Sequence, residues 1–241
     1  MPPLEILYQD DSLVVVNKPS GLLVHRSMID RHETRFAMQM VRDQIGRHVY
    51  TVHRLDKPTS GVLVFALSSD VARRMMTLFN SAAVNKHYLA VVRGYCDEAG
   101  VIDYPLKEQL DKIADASAQQ DKAAQVAVTR YQRLATAELP HPVGRYATAR
   151  YSLVQLQPDT GRKHQLRRHM KHIFHPIVGD TTHGDSRHNR FFRQQFECHR
   201  LLLAATRICF PHPVTGEWLD VCADPGADFQ RVVSALGWEG A

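Results

Sequence analysis

The sequence has few cysteines and no long apolar run. Its four cysteines, Cys96, Cys198, Cys209 and Cys222, form no C-x-x-C pair, which argues against a disulfide scaffold and is typical of a reduced compartment. No stretch approaches the roughly 18 apolar residues of a membrane helix. The first residues, MPPLEILYQDD, lack the basic start and apolar core of a signal peptide. We therefore expect a cytoplasmic protein with no membrane association.

Several common catalytic signatures are also absent. There is no G-x-x-x-x-G-K-[ST] or G-x-G-x-x-G phosphate loop and no G-x-S-x-G nucleophile elbow. Among the fourteen histidines, His164, His169, His172 and His175 lie five, three and three residues apart, with His183 beyond them. This spacing matches no H-E-x-x-H or Cys/His metal motif. We expect no metal site.

The composition is that of an ordinary globular protein. The chain has 241 residues, of which 44% are hydrophobic and 23% charged, enough to bury a substantial core. We interpret residues 1–241 as a single domain with room for two subdomains. No coiled-coil heptads occur, so a monomer is expected.

The charge is segregated along the chain. Residues 141–175 contain seven arginines or lysines against one acid, whereas residues 97–121 contain seven acids and two lysines. A chain arranged in this way presents a basic face, and such a face favours a nucleic-acid backbone as its partner. The alternative is a solvated surface on which like charges cluster by coincidence.

The hydrophobic pattern predicts an α+β fold with a mixed, mostly antiparallel β-sheet flanked by helices. Strand-like runs outnumber helical stripes and do not alternate regularly with them. The runs cover 13–17, 62–67, 88–93, 151–156, 201–210 and 218–223, and the stripes cover 36–45, 69–80, 161–173 and 229–236. Ser69 is the predicted N-cap of the second stripe. The polar segment 107–127 is interpreted as a surface insertion.

The predicted helix 161–173 places cations at two different depths. Arg162 and Lys163 in its first turn, beside free backbone N–H groups, suit a phosphate. Arg167 lies near the apolar line and is predicted to point inward, where it needs a carboxylate partner. The residues alone do not identify that acid. A plain amphipathic surface helix is the alternative.

The stretch HRLDKPTSG, residues 53–61, isolates one carboxylate, Asp56, between two apolar runs. Arg54 projects from the same side if the backbone is extended, and Thr59 and Ser60 can tie the loop to the backbone. A carboxylate held beside a guanidinium is available as a nucleophile or as an electrostatic partner. Ordinary glycosidases need a second carboxylate, which this stretch lacks. A turn or capping role is the alternative.

Four motifs in order resemble the RsuA/RluA class of pseudouridine synthases over nearly the whole chain. They are NKPSGLLVH (17–25), HRLDKPTSGVLV (53–64), KHYLAVVRG (86–94), and LQPDTGRKHQLRRH with HPIVGDTTHGD (156–185). The resemblance implies isomerisation of uridine in a cleft across the sheet, without cofactor or metal. The stretches HRSMIDR, LDKIAD and HGDSRHN are similar to the branch that modifies uridine 65 of tRNA, so tRNA is the expected partner. The N-terminal RNA-binding domain of many relatives is not expected here.

The resemblance also implies roles for individual residues. Asp56 matches the catalytic aspartate of the class, Tyr88 the tyrosine that packs on the base, and Arg167 the arginine that pairs with the aspartate. Leu166 matches an adjacent apolar wall, and Arg54 the arginine that helps to displace the target nucleotide. The further residues expected to contact RNA are Arg162, Lys163, Arg168 and His53.

Other assignments remain open at this point. Many relatives carry a histidine where this chain has Ala204, so that residue's role is lost or reassigned here. The substrate alternative is ribosomal RNA, and a non-catalytic RNA-binding protein of the same fold is a second alternative. A phosphotransferase with an aspartyl-phosphate would need an acid at Pro58 and an acidic pair for Mg²⁺, for which Asp180 and Asp185 are the poor candidates.

Overall fold

The computed structural model describes residues 2–25, 33–81, 83–108 and 123–240. Within these ranges the backbone forms ten strands and five helices, and the strands pair into a mixed, mostly antiparallel sheet. The predicted α+β class is therefore confirmed. Of the predicted insertion 107–127, residues 109–122 lie outside the described ranges. No helix in the described part of the chain has the length and hydropathy needed to cross a bilayer.

The elements follow one another in the order of the chain. The strands are β1 Glu5–Gln9, β2 Leu13–Lys18, β3 Tyr50–Thr51, β4 Ser60–Ala66, β5 Asn85–Arg93, β6 Ala99–Asp103, β7 Val128–Leu139, β8 Ala149–Pro158, β9 Leu203–Pro211 and β10 Trp218–Cys222. The helices are α1 Ala37–Ile45, α2 Ser69–Asn80, α3 Gln165–His172, α4 Ser186–Phe196 and α5 Ala227–Ala235.

The chain divides into two compact units, and the first contains the chain up to Lys86 together with Ala205–Asp224. Its strands run in the order β1-β2-β4-β9, with β3 paired to β4 and β10 to β9. The apolar runs of β2 and β4 are buried almost throughout, which explains why they contain few polar residues. Val71 and Met75 of α2 pack on this sheet beside Phe210.

Gly61 allows two strands of this unit to approach closely. Its φ is +111°, and a Cβ there would lie 2.0 Å from the carbonyl oxygen of Ala205. No larger residue fits without moving the backbone. The glycine that ends the HRLDKPTSG stretch is therefore fixed by strand packing.

Helix α2 begins one residue earlier than the sequence predicts. The Val71 N–H donates to Ser68 Oγ at 3.2 Å, so Ser68 is the N-cap and the prediction of Ser69 is wrong. Ser68 has an extended backbone, which lets its hydroxyl turn back toward the first turn, whereas Ser69 is already helical.

The second unit contains His87–Leu106, Ala124–Ala204 and the chain from Pro225 onward. Its sheet runs in the order β5-β8-β7-β6, with each pair antiparallel. Alternate residues of β8 serve two cores. Tyr151 packs in the cluster of Phe192 from α4 and Phe229 from α5, while Leu156 packs with Met170 from α3. Helices therefore cover both faces of this sheet.

Candidate active site

The Asp56 loop, residues 52–59, connects β3 to β4. The Thr59 N–H donates to the Asp56 carbonyl at 3.0 Å, which closes a turn around Pro58. Leu55 and Thr59 are buried, and Asp56 between them is half-buried. The turn chemistry of the sequence therefore holds this carboxylate on an anchored stretch of backbone.

Lys18, at the end of β2, ties the first motif to this loop. Its side chain is 0% exposed, and Nζ donates to three carbonyls: Leu22 at 2.7 Å, Pro19 at 3.0 Å and Lys57 at 3.2 Å. The Lys57 carbonyl belongs to the residue directly after Asp56. The buried ammonium therefore fixes the backbone next to the candidate carboxylate, a function that sequence reasoning did not assign to Lys18.

Further bonds strengthen the same tie. The Gly21 N–H donates to the Lys57 carbonyl at 2.9 Å, and Ser20 Oγ donates to the Pro58 carbonyl at 2.7 Å. The Lys57 side chain pairs with Glu33 at 3.0 Å. The motif NKPSG thus serves as a support for the Asp56 loop, because three of its residues bond to the backbone of that loop.

His53, predicted to contact RNA, has a structural role in the first unit. Its Nε2 accepts the Val64 N–H at 3.0 Å, and its ring stacks on Phe79 with a centroid separation of 4.7 Å. Burial, followed by the nearby Lys86 charge, lowers the pKa of His53 to about 3, so the ring is neutral at pH 7. Its contact with RNA stays a prediction.

Arg54, the next residue, is exposed. Burial first, and then the Arg54 charge, lower the pKa of His25, which shows that this guanidinium lies near that ring. His53 is half-buried, whereas the Arg54 side chain lies at the surface. The Arg54 guanidinium is therefore accessible to a nucleotide, as its predicted role requires.

Arg167 on α3 lies inside the second unit and forms a two-point ion pair with Asp180. Its Nε is 2.7 Å from Oδ2 and its Nη2 is 2.9 Å from Oδ1. The exposed fractions of the two side chains are 5% and 1%. The prediction that Arg167 points inward to a carboxylate is confirmed for this unit, but the acid is one that sequence reasoning missed. The pairing of Arg167 with Asp56 stays a prediction.

The surroundings of Asp180 keep it ionised. Its Oδ1 accepts the N–H groups of Thr182 and His183, each at 2.9 Å. Burial alone raises the pKa of Asp180, but the bond from Arg167 and those two N–H bonds outweigh it and lower the pKa below its usual value. Gly179, the residue before Asp180, has φ +82°, and a Cβ there would lie 1.9 Å from the Arg200 carbonyl oxygen. The turn at this position therefore requires glycine. The sequence signal that could have identified Asp180 was the triplet VGD, in which a glycine and an acid directly follow a buried segment.

Tyr88 and Leu166 belong to one hydrophobic cluster of the second unit. Tyr88 on β5 lies opposite Leu156 of β8 and is half-buried, while Leu166 on α3 is 6% exposed. Leu166 belongs to the buried cluster that contains Met170 and Ile177, and Tyr88 packs against that cluster. The structure therefore brings together the two residues that the resemblance assigns to the surroundings of the base.

The predicted helix 161–173 starts four residues late, so Arg162 and Lys163 do not lie in its first turn as predicted. The first helical residue is Gln165, whose Oε1 accepts the Thr160 hydroxyl at 2.7 Å and the Arg162 N–H at 3.0 Å. The Gln165 side-chain oxygen thus accepts the Arg162 N–H, a backbone group that the prediction left free for an anion. Arg162 and Lys163 are exposed in the preceding turn.

The remaining predicted cation, Arg168, is half-buried on α3, and its pKa is lowered by desolvation, with Tyr104 opposing. Exposed Arg162 also donates from Nε to the Val126 carbonyl at 3.1 Å. Contacts of these cations with RNA stay predictions.

The histidines after residue 160 have separate partners. His164 and His183 form a ring-to-ring bond at 3.0 Å, His169 lies between Thr129 Oγ1 and the Tyr104 carbonyl, and His175 contacts the Arg93 carbonyl. Within the described ranges there is no group of three or more His, Cys, Asp or Glu side chains that could hold a metal ion.

The acidic pair needed by a phosphotransferase is engaged elsewhere. Asp180 is held by Arg167, as described above. Asp185 caps α4 by accepting the Arg187 N–H at 2.9 Å, and it pairs with Arg93 at 2.8 Å. Since both carboxylates neutralise arginines, the structure gives no support to a Mg²⁺ site at this pair.

Comparison with known proteins agrees with this architecture. A family model described as RNA pseudouridylate synthase matches residues 12–172. The chain is 58% identical over 236 residues to tRNA pseudouridine synthase C of Vibrio cholerae, covering 98% of this chain and 97% of the relative. It is 60% identical over 237 residues to the Yersinia pestis protein of the same name, covering 98% and 92%.

Solved structures give the same result. The human RNA Pseudouridylate Synthase Domain Containing 4 superposes with a TM-score of 0.71 at 30% identity, covering 97% of this chain and 93% of the human chain. The human Domain Containing 1 protein gives 0.70 at 26% identity, with 98% of each chain covered. By sequence and by fold, this chain belongs to the RNA pseudouridylate synthase family.

Proposed function

We propose that this protein converts uridine to pseudouridine in tRNA, at position 65, with Asp56 as the catalytic carboxylate acting on a flipped-out nucleotide. The observation that carries the proposal is the identity of 58% to 60% with relatives named tRNA pseudouridine synthase C, over 98% of this chain. The anchored Asp56 loop supports it, because the chemistry needs one carboxylate held in a fixed position.

The isomerisation accounts for a single acid. The N1–C1′ bond breaks, the uracil rotates, and a C5–C1′ bond forms, so that C5 loses a proton and N1 gains one. The base is never released, and no second carboxylate is needed to protonate a leaving group. In this proposal Asp56 acts at the nucleotide, Arg167 provides its charge partner, and Tyr88 packs on the base with Leu166 as an apolar wall.

Access to the uridine requires the nucleotide to leave its stack. Flipping costs a few kcal/mol, and phosphate contacts from basic side chains offset it. Arg54 is the exposed arginine before Asp56, and we assign it to the space that the displaced nucleotide leaves. Arg162, Lys163 and Arg168 are assigned to phosphates.

Tritium release tests the function. Wild-type protein without added metal should release the C5 tritium from tRNA labelled in its uracils, and the product should carry pseudouridine at position 65. A transcript with cytidine at that position is the matched control and should release none. Release from ribosomal RNA alone would support the substrate alternative. Binding of tRNA with no release from either RNA would support the non-catalytic alternative.

Lys18 provides a prediction about positioning. Lys18→Met should lower kcat about 10- to 100-fold, because the backbone beside Asp56 loses its tie and small displacements of a reacting group are costly. The KM for tRNA should change little, since Lys18 is buried. Single-turnover and steady-state tritium release separate the two constants.

Lys57→Met is the matched control for Lys18→Met. It removes the half-exposed pair with Glu33 but keeps the Lys57 carbonyl that Lys18 binds, so kcat should stay within about 3-fold of wild type. A Lys18→Met variant with wild-type kcat would refute the positioning role.

A further inference from the structure

Helix α3 ends in a cap that places a phenylalanine where glycine is favoured. The Phe174 N–H donates to the Lys171 carbonyl at 3.0 Å, and the His175 N–H donates to the Met170 carbonyl at 2.8 Å. These two bonds define a Schellman cap, whose residue in the left-handed region is usually glycine. Phe174 occupies it with φ +65°. A bulky side chain there strains the backbone.

Packing of the Phe174 side chain does not offset this strain. Phe174 is 82% exposed, the highest value among the large hydrophobic residues of the described chain. Ile173, the residue before it, is half-buried in the cluster of Leu166 and Met170 and already anchors the end of the helix. A strained backbone that presents a large aromatic ring to solvent is a feature of binding surfaces.

The neighbours of Phe174 show what such a surface can bind. Lys171 and His172 are exposed on the last turn of α3, and the His172 ring stacks on Tyr104 with a centroid separation of 3.7 Å and an angle of 19°. We call Tyr104, Lys171, His172 and Phe174 the α3 terminal patch. Flat rings beside a cation form the kind of platform on which unpaired nucleobases stack while a lysine meets the phosphate.

We propose that the α3 terminal patch binds an unpaired nucleobase of the substrate tRNA, other than the target uridine, by stacking on Phe174. The proposal rests on the function proposed above, since it takes the substrate to be tRNA. Lys171 supplies the charge complementary to the adjacent phosphate. The occupant is RNA because an unpaired nucleotide offers both a flat base for the exposed ring of Phe174 and a phosphate that complements the charge of Lys171.

The variant Phe174→Gly separates binding from folding, because the two effects have opposite signs. Glycine relieves the strained backbone, so the Tm should equal that of wild type or exceed it by up to about 4 °C. The Kd for a tRNA transcript with cytidine at position 65, which cannot be converted, should weaken about 10-fold through loss of stacking, as measured by fluorescence anisotropy. Phe174→Trp should bind like wild type, whereas Phe174→Leu should bind like the glycine variant.

Glu197→Gly is the matched control. Glu197 also has a left-handed backbone at a helix end, with φ 52°, and lies outside the patch. Its replacement relieves similar strain and should leave the Kd for tRNA no weaker than that of wild type.

Three outcomes would overturn the inference. These are wild-type binding by Phe174→Gly, wild-type binding by Phe174→Leu, or a Tm of Phe174→Gly several degrees below wild type, which would indicate a structural role. Because the Kd is measured without turnover, failure of the inference is distinguishable from failure of the proposed function, which would appear as no tritium release by wild type.

Discussion

Replacement of Asp56 by alanine is expected to abolish pseudouridine formation, lowering kcat by at least about 10⁴-fold. The proposed chemistry places one carboxylate at the nucleotide, so no neighbouring acid takes over its work. The loop itself should survive, because its turn is closed by the Asp56 carbonyl and its ties run to the carbonyls of Lys57 and Pro58. Tritium release under single-turnover conditions measures the loss.

Two further variants make this result specific. Asp56→Asn keeps the shape of the side chain and removes its charge, and it should be as inactive as the alanine variant. Asp11→Ala removes a fully exposed acid of the same unit and should retain wild-type turnover. Both Asp56 variants should still bind tRNA. A rate for Asp56→Ala within 10-fold of wild type would reject this residue as the catalytic acid.

Arg167→Ala is expected to destabilise the protein by about 3–5 kcal/mol, because it leaves the buried Asp180 carboxylate without its cation. For a chain of this length the loss corresponds to a fall in Tm of roughly 6–20 °C. Catalysis should fail as well if Arg167 also serves Asp56. Thermal unfolding followed by circular dichroism measures the first effect independently of the second.

Exposed ion pairs provide the control for this prediction. Arg130 pairs with Asp159 at 3.2 Å on the surface of the same unit, and Arg130→Ala should change stability by less than about 1 kcal/mol. Combining Arg167→Met with Asp180→Asn should recover much of the lost stability, since no buried charge then remains unpaired. An Arg167→Ala variant with the wild-type Tm would contradict the assignment of a buried pair.

Acidification should reduce the difference between wild type and Arg167→Ala. The pKa of Asp180 is lower in the folded state than in the unfolded chain, so its pair contributes fully above the ordinary value of 3.8. That contribution is lost as the pH falls through the lower, folded pKa. The Tm difference should therefore be largest near neutral pH and shrink below about pH 4.

The sequence predicted the buried strands well, and the half-exposed ones poorly. Residues 13–17 and 62–67 predict β2 and β4 to within about two residues at each end, because buried apolar residues fill these strands. The twelve-residue β7 was missed, since Arg130, Gln132 and Glu138 are exposed along it and a register shift between Arg133 and Ala135 breaks the alternation. An antiparallel strand with one open face gives only a weak signal when it is irregular.

Helix α4 was missed for a different reason. Asp185 is a recognisable N-cap, and Phe192 and Phe196 follow at helical spacing. The inward position one turn earlier is Asn189, whose amide bonds to the Gly179 N–H and the Asp180 carbonyl. A buried polar residue that serves a neighbouring loop interrupts the apolar stripe on which such a prediction depends.

The candidate site was predictable at the level of motifs and less so at the level of contacts. Burial of Arg167 follows from the helical pattern, but the choice of Asp180 depends on a turn that brings residues thirteen positions apart together. The supports of the Asp56 loop involve backbone carbonyls, which every residue possesses. No pattern of side chains reveals which carbonyls face Lys18.

The tie made by Lys18 has an evolutionary consequence, because its acceptors are peptide oxygens. Leu22 and Lys57 can be exchanged for other residues without deleting an acceptor, since each replacement brings an identical carbonyl group. The donor has no such freedom, because the three oxygens converge on one flexible ammonium in a fully buried position. Tolerance to mutation should therefore differ between the two sides of this interaction. Substitutions should be tolerated at the residues that supply the carbonyl acceptors and should be selected against at Lys18.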